Sequence, residues 1–221
     1  MMTTQDSKPE ILIPPLEAGN DAPNQGMFAV QALLVNLSQV ERNHHVARTE
    51  RHENDAEHTL SVAYLCWFIH DELGLELDME KVLKYAMAHD IVEVYSGDVN
   101  SFASEEAREQ KRRDEAEAQA RLGDEFKGFV GFTRIMDSYQ DKEDGDEEAL
   151  FVWTVDKVQA LIMDDLDSWS AHIRIGITYE AFCSKYKAFI EQCSHHCKEM
   201  VEALVEYCIA SYGTRLSETG N

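Results

Sequence analysis

The sequence predicts an all-α fold, a helical bundle forming a single compact domain, and three observations point there. No proline follows Pro23, glycines sit in short joints, and segments rich in Ala, Leu, Glu and Lys repeat apolar residues every three or four positions. At 221 residues the chain can bury one substantial core, since domains commonly run to roughly 100–200 residues. Residues 1–26 hold all four prolines with Gly19 and Gly26 and show no sustained period, so an irregular N-terminal arm is expected there. Residues 27–170 are expected to form the core, and 171–221 a C-terminal helical extension packed on it. The predicted helices cover about 27–42, 55–73, 79–89, 104–122, 125–139, 147–170 and 176–212, the last of them long enough to be two.

Composition narrows the function classes. Asp and Glu number 42 against 20 Lys and Arg, a net charge of -22, and that field repels nucleic acid polymers and anionic membrane surfaces. A small phosphorylated substrate stays compatible if the protein binds a cation. Five irregularly spaced cysteines do not form the even framework of a small secreted domain, and the N-terminus MMTTQDSKPE lacks the basic start and apolar run of a signal peptide. No apolar run approaches the roughly 20 residues of a membrane-spanning helix, because Ala63–Ile69 meets His70, Asp71 and Glu72 at once. A cytoplasmic protein with no membrane partner is expected.

Three helices place polar residues where apolar ones would cost less. From Asp55 onward, Val62, Leu65, Cys66, Ile69 and Leu73 define a buried stripe, and His58 lies four residues before Val62 on the same stripe. In the next helix Val82, Leu83 and Ala86 face inward, and the spacing turns His89 and Asp90 the same way. In the helix from 147, Asp156 stands at the centre of a stripe made by Ala149, Val152, Trp153, Ala160 and Met163. Singly, an inward His is more often a hydrogen-bonded core residue and an inward Asp the partner of an Arg. Four together need a shared explanation, because a buried carboxylate costs several kcal/mol unless paired or bound to metal. One divalent cation supplies it: imidazole with carboxylate suits Mn, Co, Zn or Fe better than Ca, and Mg remains admissible.

The stretches Arg51–His58, Ala88–Asp98 and Glu148–Phe151 with Val155–Val158 resemble the HD-domain superfamily of metal-dependent phosphohydrolases, and in their flanking residues its bacterial 5'-deoxynucleotidase branch. The resemblance spans about residues 37–166 and makes 27–170 an HD phosphohydrolase core. It implies a homodimer, and hydrolysis of a nucleoside or deoxynucleoside 5'-monophosphate. A (deoxy)nucleoside triphosphate or alarmone pyrophosphohydrolase is the alternative within the class, and a non-catalytic metal- or nucleotide-binding module the alternative outside it. Residue by residue it implies His58, His89, Asp90 and Asp156 as metal ligands, Glu93 as the group handling the proton of the attacking water, and Asp98 beside the substrate. An arginine upstream of the first His contacts phosphate; Arg42 matches best, with Arg51 and Arg48 as competitors. Asn43 stands where the branch has Trp, and Asn100 where a Pro often follows, so sugar and base preference stay open.

Other patterns point away from competing chemistries. No histidine lies between Ile91 and Val155, where the dinuclear members of the superfamily carry extra ones, so a single-metal site is expected. Placing Gly145 at position six of a calcium loop puts Gln140 and Lys142 where ligands belong, so the acidic segment Asp137–Glu148 reads as a solvated connection. The cluster Cys193-Ser194-His195-His196-Cys197 continues the spacing of Phe182, Tyr186, Phe189, Ile190, Val201 and Leu204, so its cysteines read as small core hydrophobes. His44, His45 and His52 are expected in the polar approach to the first ligand helix, with one of them a candidate for the pocket. Neither His70 nor His172 has a pattern that recommends it.

Overall fold

The computed structural model describes residues 23–100, 102–141 and 145–219. In chain order the elements are α1 (Pro23–Leu37), β1 (Glu41–His45), β2 (His52–Asn54), α2 (Asp55–Leu73), α3 (Met79–Ala88), α4 (Glu93–Ser96), α5 (Glu105–Glu125), α6 (Val130–Gln140), α7 (Glu147–Leu166), α8 (Ser170–Arg174), α9 (Tyr179–Gln192), a 3-10 turn (His195–Cys197) and α10 (Lys198–Thr219). The all-α expectation holds. The one β structure among the described residues is an antiparallel hairpin of β1 and β2, pairing Glu41 with Asn54 and His45 with His52.

That hairpin corrects the first predicted helix, which ends at Leu37 instead of running to 42. Glu41–His45 carries no helical apolar period, and its backbone is satisfied by the neighbouring strand. The connecting turn places Arg48 at φ 66 and is closed by the Val46 amide donating to the Arg51 carbonyl, 2.9 Å. At the other end α1 begins at Pro23 and so includes residues assigned to the arm; proline is tolerated in a first helical turn, where its missing N–H has no intrahelical partner. The rest of the expected arm, 1–22, lies outside the described residues.

Helix α2 starts where predicted because Asn54 and Glu57 form a capping box, and it stops at Gly74 in the left-handed conformation. Asp78 caps α3 and Asp146 caps α7. Asp146 also accepts from Tyr85 (2.7 Å) and pairs with Lys81 (2.9 Å), tying the acidic segment to α3; residues 142–144 of that segment are not described. Helix α7 ends at Leu166, before 170, because Ser168 and Trp169 adopt left-handed φ and turn the chain into α8.

The predicted helix over 176–212 is two helices broken at Cys193–Cys197, so these cysteines do not share one helical face. They are nonetheless buried core residues, and burial pushes the Cys197 thiol up to about 12, as expected of small hydrophobes. One apolar cluster joins α2, α3, α7, α9 and α10 through Val62, Cys66, Val82, Val152, Val155, Phe182 and Val205; a second joins α1, α4, α5 and α6 through Leu33, Leu37, Val94, Leu122 and Met136. The C-terminal helices thus complete the main core.

Candidate metal centre

At the junction of the hairpin with α2, α3 and α7, His58, His89, Asp90 and Asp156 each offer a ligand atom, and all four atoms lie within 4.8 Å of one another. His58 sits in the first turn of α2, fixed by the capping box, and is fully buried. His89 is the cap that closes α3, which ends one residue short of the predicted 89, and Asp90 occupies the turn that follows. Asp156 comes from the middle of α7.

The protonation of the two rings follows from their partners. His89 Nδ1 lies 2.7 Å from the Ala86 carbonyl, which can only accept, so Nδ1 carries the hydrogen and Nε2 the lone pair. His58 Nδ1 donates to Gln159 Oε1 at 2.8 Å, and Gln159 in turn donates from Nε2 to Glu53 at 2.9 Å. The two Nε2 lone pairs then face each other at 3.1 Å, with Asp156 Oδ1 3.0 Å and Asp90 Oδ2 3.4 Å from His58 Nε2. Acceptors converging this closely repel unless a cation joins them, and the donor set of two imidazoles and two carboxylates fits a divalent transition metal. The same convergence acts on protons: burial and Arg42 oppose charging of His58, yet its hydrogen bonds with Asp156 and Asp90 carry it up to about 9.

Arg42 underpins this arrangement from β1. Its Nη1 donates to Asp90 at 2.9 Å and to Asp55 at 3.2 Å, and its Nε lies 3.7 Å from Glu53. Burial resists ionisation of Asp90, but His89, His58 and Arg42 hold it well below the usual carboxylate range. Asp55, buried beside Asp90, is pushed up to about 6. Glu93, 2% exposed, begins α4 and accepts from Lys111 of α5 at 2.7 Å; burial and the charge of Asp90 raise its pKa well above the ordinary range.

Arg42, Asp90, Glu93 and Asp156 line one end of a cavity of about 730 Å³, together with Asp98, and His58 and His89 lie buried behind them. Five cationic side chains, Arg42, Arg108, Lys111, Lys157 and Lys185, stand on its wall in a chain whose net charge is -22. The far wall holds Asp164, 2% exposed, with His44 Nδ1 2.8 Å and His172 Nδ1 3.3 Å from its Oδ1. Asp164 stands eight residues beyond Asp156 on α7, so the two ends are about 12 Å apart along that helix.

The structure therefore brings His58, His89, Asp90, Asp156, Glu93, Asp98 and Arg42 to one place. Arg51 is not among them: it is half exposed and makes a two-pronged pair with Glu57 at 2.7 and 2.9 Å, outside the cavity. His44 lines the cavity, while His172, which no pattern recommended, is buried in its wall. Gln159, Glu53, Asp164 and Lys185 were not foreseen as site residues. Gln159 had a readable signal, an amide one helical step from Asp156 on a buried stripe.

Among families of known proteins, residues 34–197 match the one described as HD domain. A 1.37 Å crystal structure of a predicted metal-dependent phosphohydrolase from Magnetospirillum magnetotacticum MS-1 is similar, with TM-score 0.67 and 23% identity over 85% of this chain and 94% of that one. A conserved hypothetical protein from Pyrococcus furiosus is similar with TM-score 0.57 and 21% identity, over 80% of this chain and 98% of that one. At these identities the two structures speak for the fold. No curated protein matches the chain.

Proposed function

The chain belongs to the HD domain family, and from that premise we propose that it is a divalent-metal-dependent phosphohydrolase acting on a nucleoside or deoxynucleoside 5'-monophosphate, as in the 5'-deoxynucleotidase branch. The observation that carries the reading is the convergence of four metal-type ligand atoms within 4.8 Å at one end of a cation-walled cavity. The similar structure from Magnetospirillum, described as a predicted metal-dependent phosphohydrolase, supports the phosphohydrolase part of this reading.

His58, His89, Asp90 and Asp156 would hold the ion. When bound, it lowers the pKa of a water and polarises a phosphoryl oxygen. Glu93 would take the proton of the attacking water: Lys111 fixes one of its oxygens, and its raised pKa suits a group that must hold a proton near neutral pH. Arg42 keeps Asp90 ionised while adding positive charge beside the phosphate, and Lys111 and Lys157 extend that charge along the wall. Asp98 faces the same space and orients the substrate.

A triphosphate or alarmone substrate is the second reading, favoured by the five wall cations. Their charge is shared with neighbours: Arg42 pairs with Asp90, Lys111 with Glu93, Lys157 with Asp156 and Arg108 with Glu105, and Lys185 lies over the Phe102 ring. Little of that charge is left for a polyphosphate, and a monophosphate fits better. The test strips the protein of metal, restores Mn, Co, Zn or Mg singly, and follows products from nucleoside mono- and triphosphates, with Asp90→Ala as control. Inorganic phosphate from monophosphates, reduced more than about 100-fold in the control, is expected, since even changes to ligand partners cost 10–100-fold. Pyrophosphate or tripolyphosphate as product would favour the second reading, and no turnover with tight metal binding would leave a binding module.

A further inference from the structure

The stretch around Cys193–Cys197 offers metal-type ligands that the cavity does not use. Its cysteines are excluded as ligands, being thiols turned into the core, with burial raising the pKa of both. Its histidines are different. His195 is exposed and His196 half-buried, and their rings lie with centroids only 4.0 Å apart at 33°, although neighbouring side chains on a helix ordinarily diverge. The 3-10 turn sets them side by side. His196 Nε2 is 3.2 Å from Oε2 of Glu147, the first residue of α7. One ligand atom from each of Glu147, His195 and His196 lies within 4.8 Å of the others.

We propose that Glu147, His195 and His196 form a second divalent-metal site on the surface, taking an ion of the zinc, nickel or copper class and stapling the start of α7 to the α9–α10 junction. Two imidazoles with one carboxylate are a nitrogen-rich set that favours these ions over calcium or magnesium, and three protein ligands leave positions for water. Both sides of the site are held in place before any ion arrives. The fully buried Ser194 donates its backbone N–H to Thr154 of α7 at 2.8 Å, and Cys193 and Cys197 anchor the turn in the core on either side. On the other side Asp146 caps α7, and Lys81 and Tyr85 bind that cap. The ligands are thus mounted on rigid backbone, the condition for selective metal capture. The site lies at the opposite end of the helix segment that leads to Asp156, so filling it clamps a ligand-bearing helix without entering the cavity.

The experiment is calorimetric titration of the metal-stripped full chain with zinc, in the wild type, in Asp90→Ala, in the double variant His195→Gln with His196→Gln, and in Glu147→Gln. Two zinc ions are expected in the wild type. Asp90→Ala should lose one, the double variant the other, and Glu147→Gln should weaken that second ion at least tenfold. The surface variants should keep manganese-dependent phosphate release, which also reports that they fold. Zinc uptake by the double variant equal to that of the wild type overturns the proposal, as does a wild type whose only zinc disappears with Asp90→Ala. Absence of phosphate release from any substrate would undo the hydrolase reading and leave the zinc count to decide this one.

Discussion

The metal end of the cavity and its far wall share helix α7, yet they are assembled differently. At the metal end, each ligand lies in or just past a helix whose apolar stripe can be read from the chain, and each has hydrogen-bond partners that fix its orientation. At the far wall, Asp164 from α7 meets His44 from the hairpin and His172 from the five-residue helix α8, while Phe102 stacks edge-on against His172 and Lys185 lies over Phe102 at 3.7 Å. The first end is rigid and determined by local pattern. The second is put together by tertiary contacts between short elements, where a family can change what it recognises without disturbing the chemistry.

Removing Arg42 should disturb the metal end most severely. Arg42→Ala would leave Asp90, Asp55 and Glu53 without their cation, and losing one partner of a buried ionic group costs about 3–5 kcal/mol. Urea denaturation should show that loss; a change below about 1 kcal/mol would mean that Arg42 is less tightly built into the metal end than its contacts indicate. Gln159→Leu should cost about 1–3 kcal/mol of stability, since the buried His58 and Glu53 both lose a hydrogen-bond partner, and should weaken metal binding about 10–100-fold, because His58 would lose the acceptor that fixes its tautomer. Competition with a chelator of known affinity measures it.

Asp164→Asn sharpens the contrast from the other side. Removing the charge that His44 and His172 both face should cost on the order of 1–2 kcal/mol of stability, while metal affinity stays as it was. A parallel fall in metal affinity would show the two ends to be one unit. The smallest effect concerns Lys185, whose pKa burial and the charges of Lys157 and Arg108 lower to about 7 against the pull of Asp164. Between about pH 7 and 10.5 the unfolded chain holds a proton there that the folded chain does not, so this group makes stability rise with pH across that window. Lys185→Met should remove the rise and be more stable than the wild type at pH 6, by on the order of 1 kcal/mol, with the advantage fading toward pH 10. Thermal melts at the two pH values check it.

What was legible follows the same division. His58 and Asp156 could be placed because a polar residue at helical spacing on an apolar stripe has one inward direction, and His89 and Asp90 kept that direction although α3 stops at Ala88. The bundle was legible for the same reason. The hairpin was not, since Glu41–His45 has no apolar alternation and pairs only because its partner strand leads into the capped start of α2. With the hairpin went the choice between Arg42 and Arg51: one strand register turns Arg42 toward Asp90, while Arg51 sits at the turn within reach of Glu57. His172 and Lys185 were beyond reach because only the left-handed pair Ser168 and Trp169 folds α8 and α9 back over α7.

The cationic wall inside so acidic a chain has a kinetic consequence. Charges more than a Debye length apart, about 8 Å at physiological ionic strength, are largely screened from one another. An anionic substrate at a distance meets the overall negative field and is turned away; only at the mouth do Arg108, Lys111 and Lys157 take over. Added salt weakens the distant repulsion more than the close attraction. Substrate capture should therefore quicken as ionic strength rises through the low millimolar range, the reverse of an enzyme that draws its ligand in from afar.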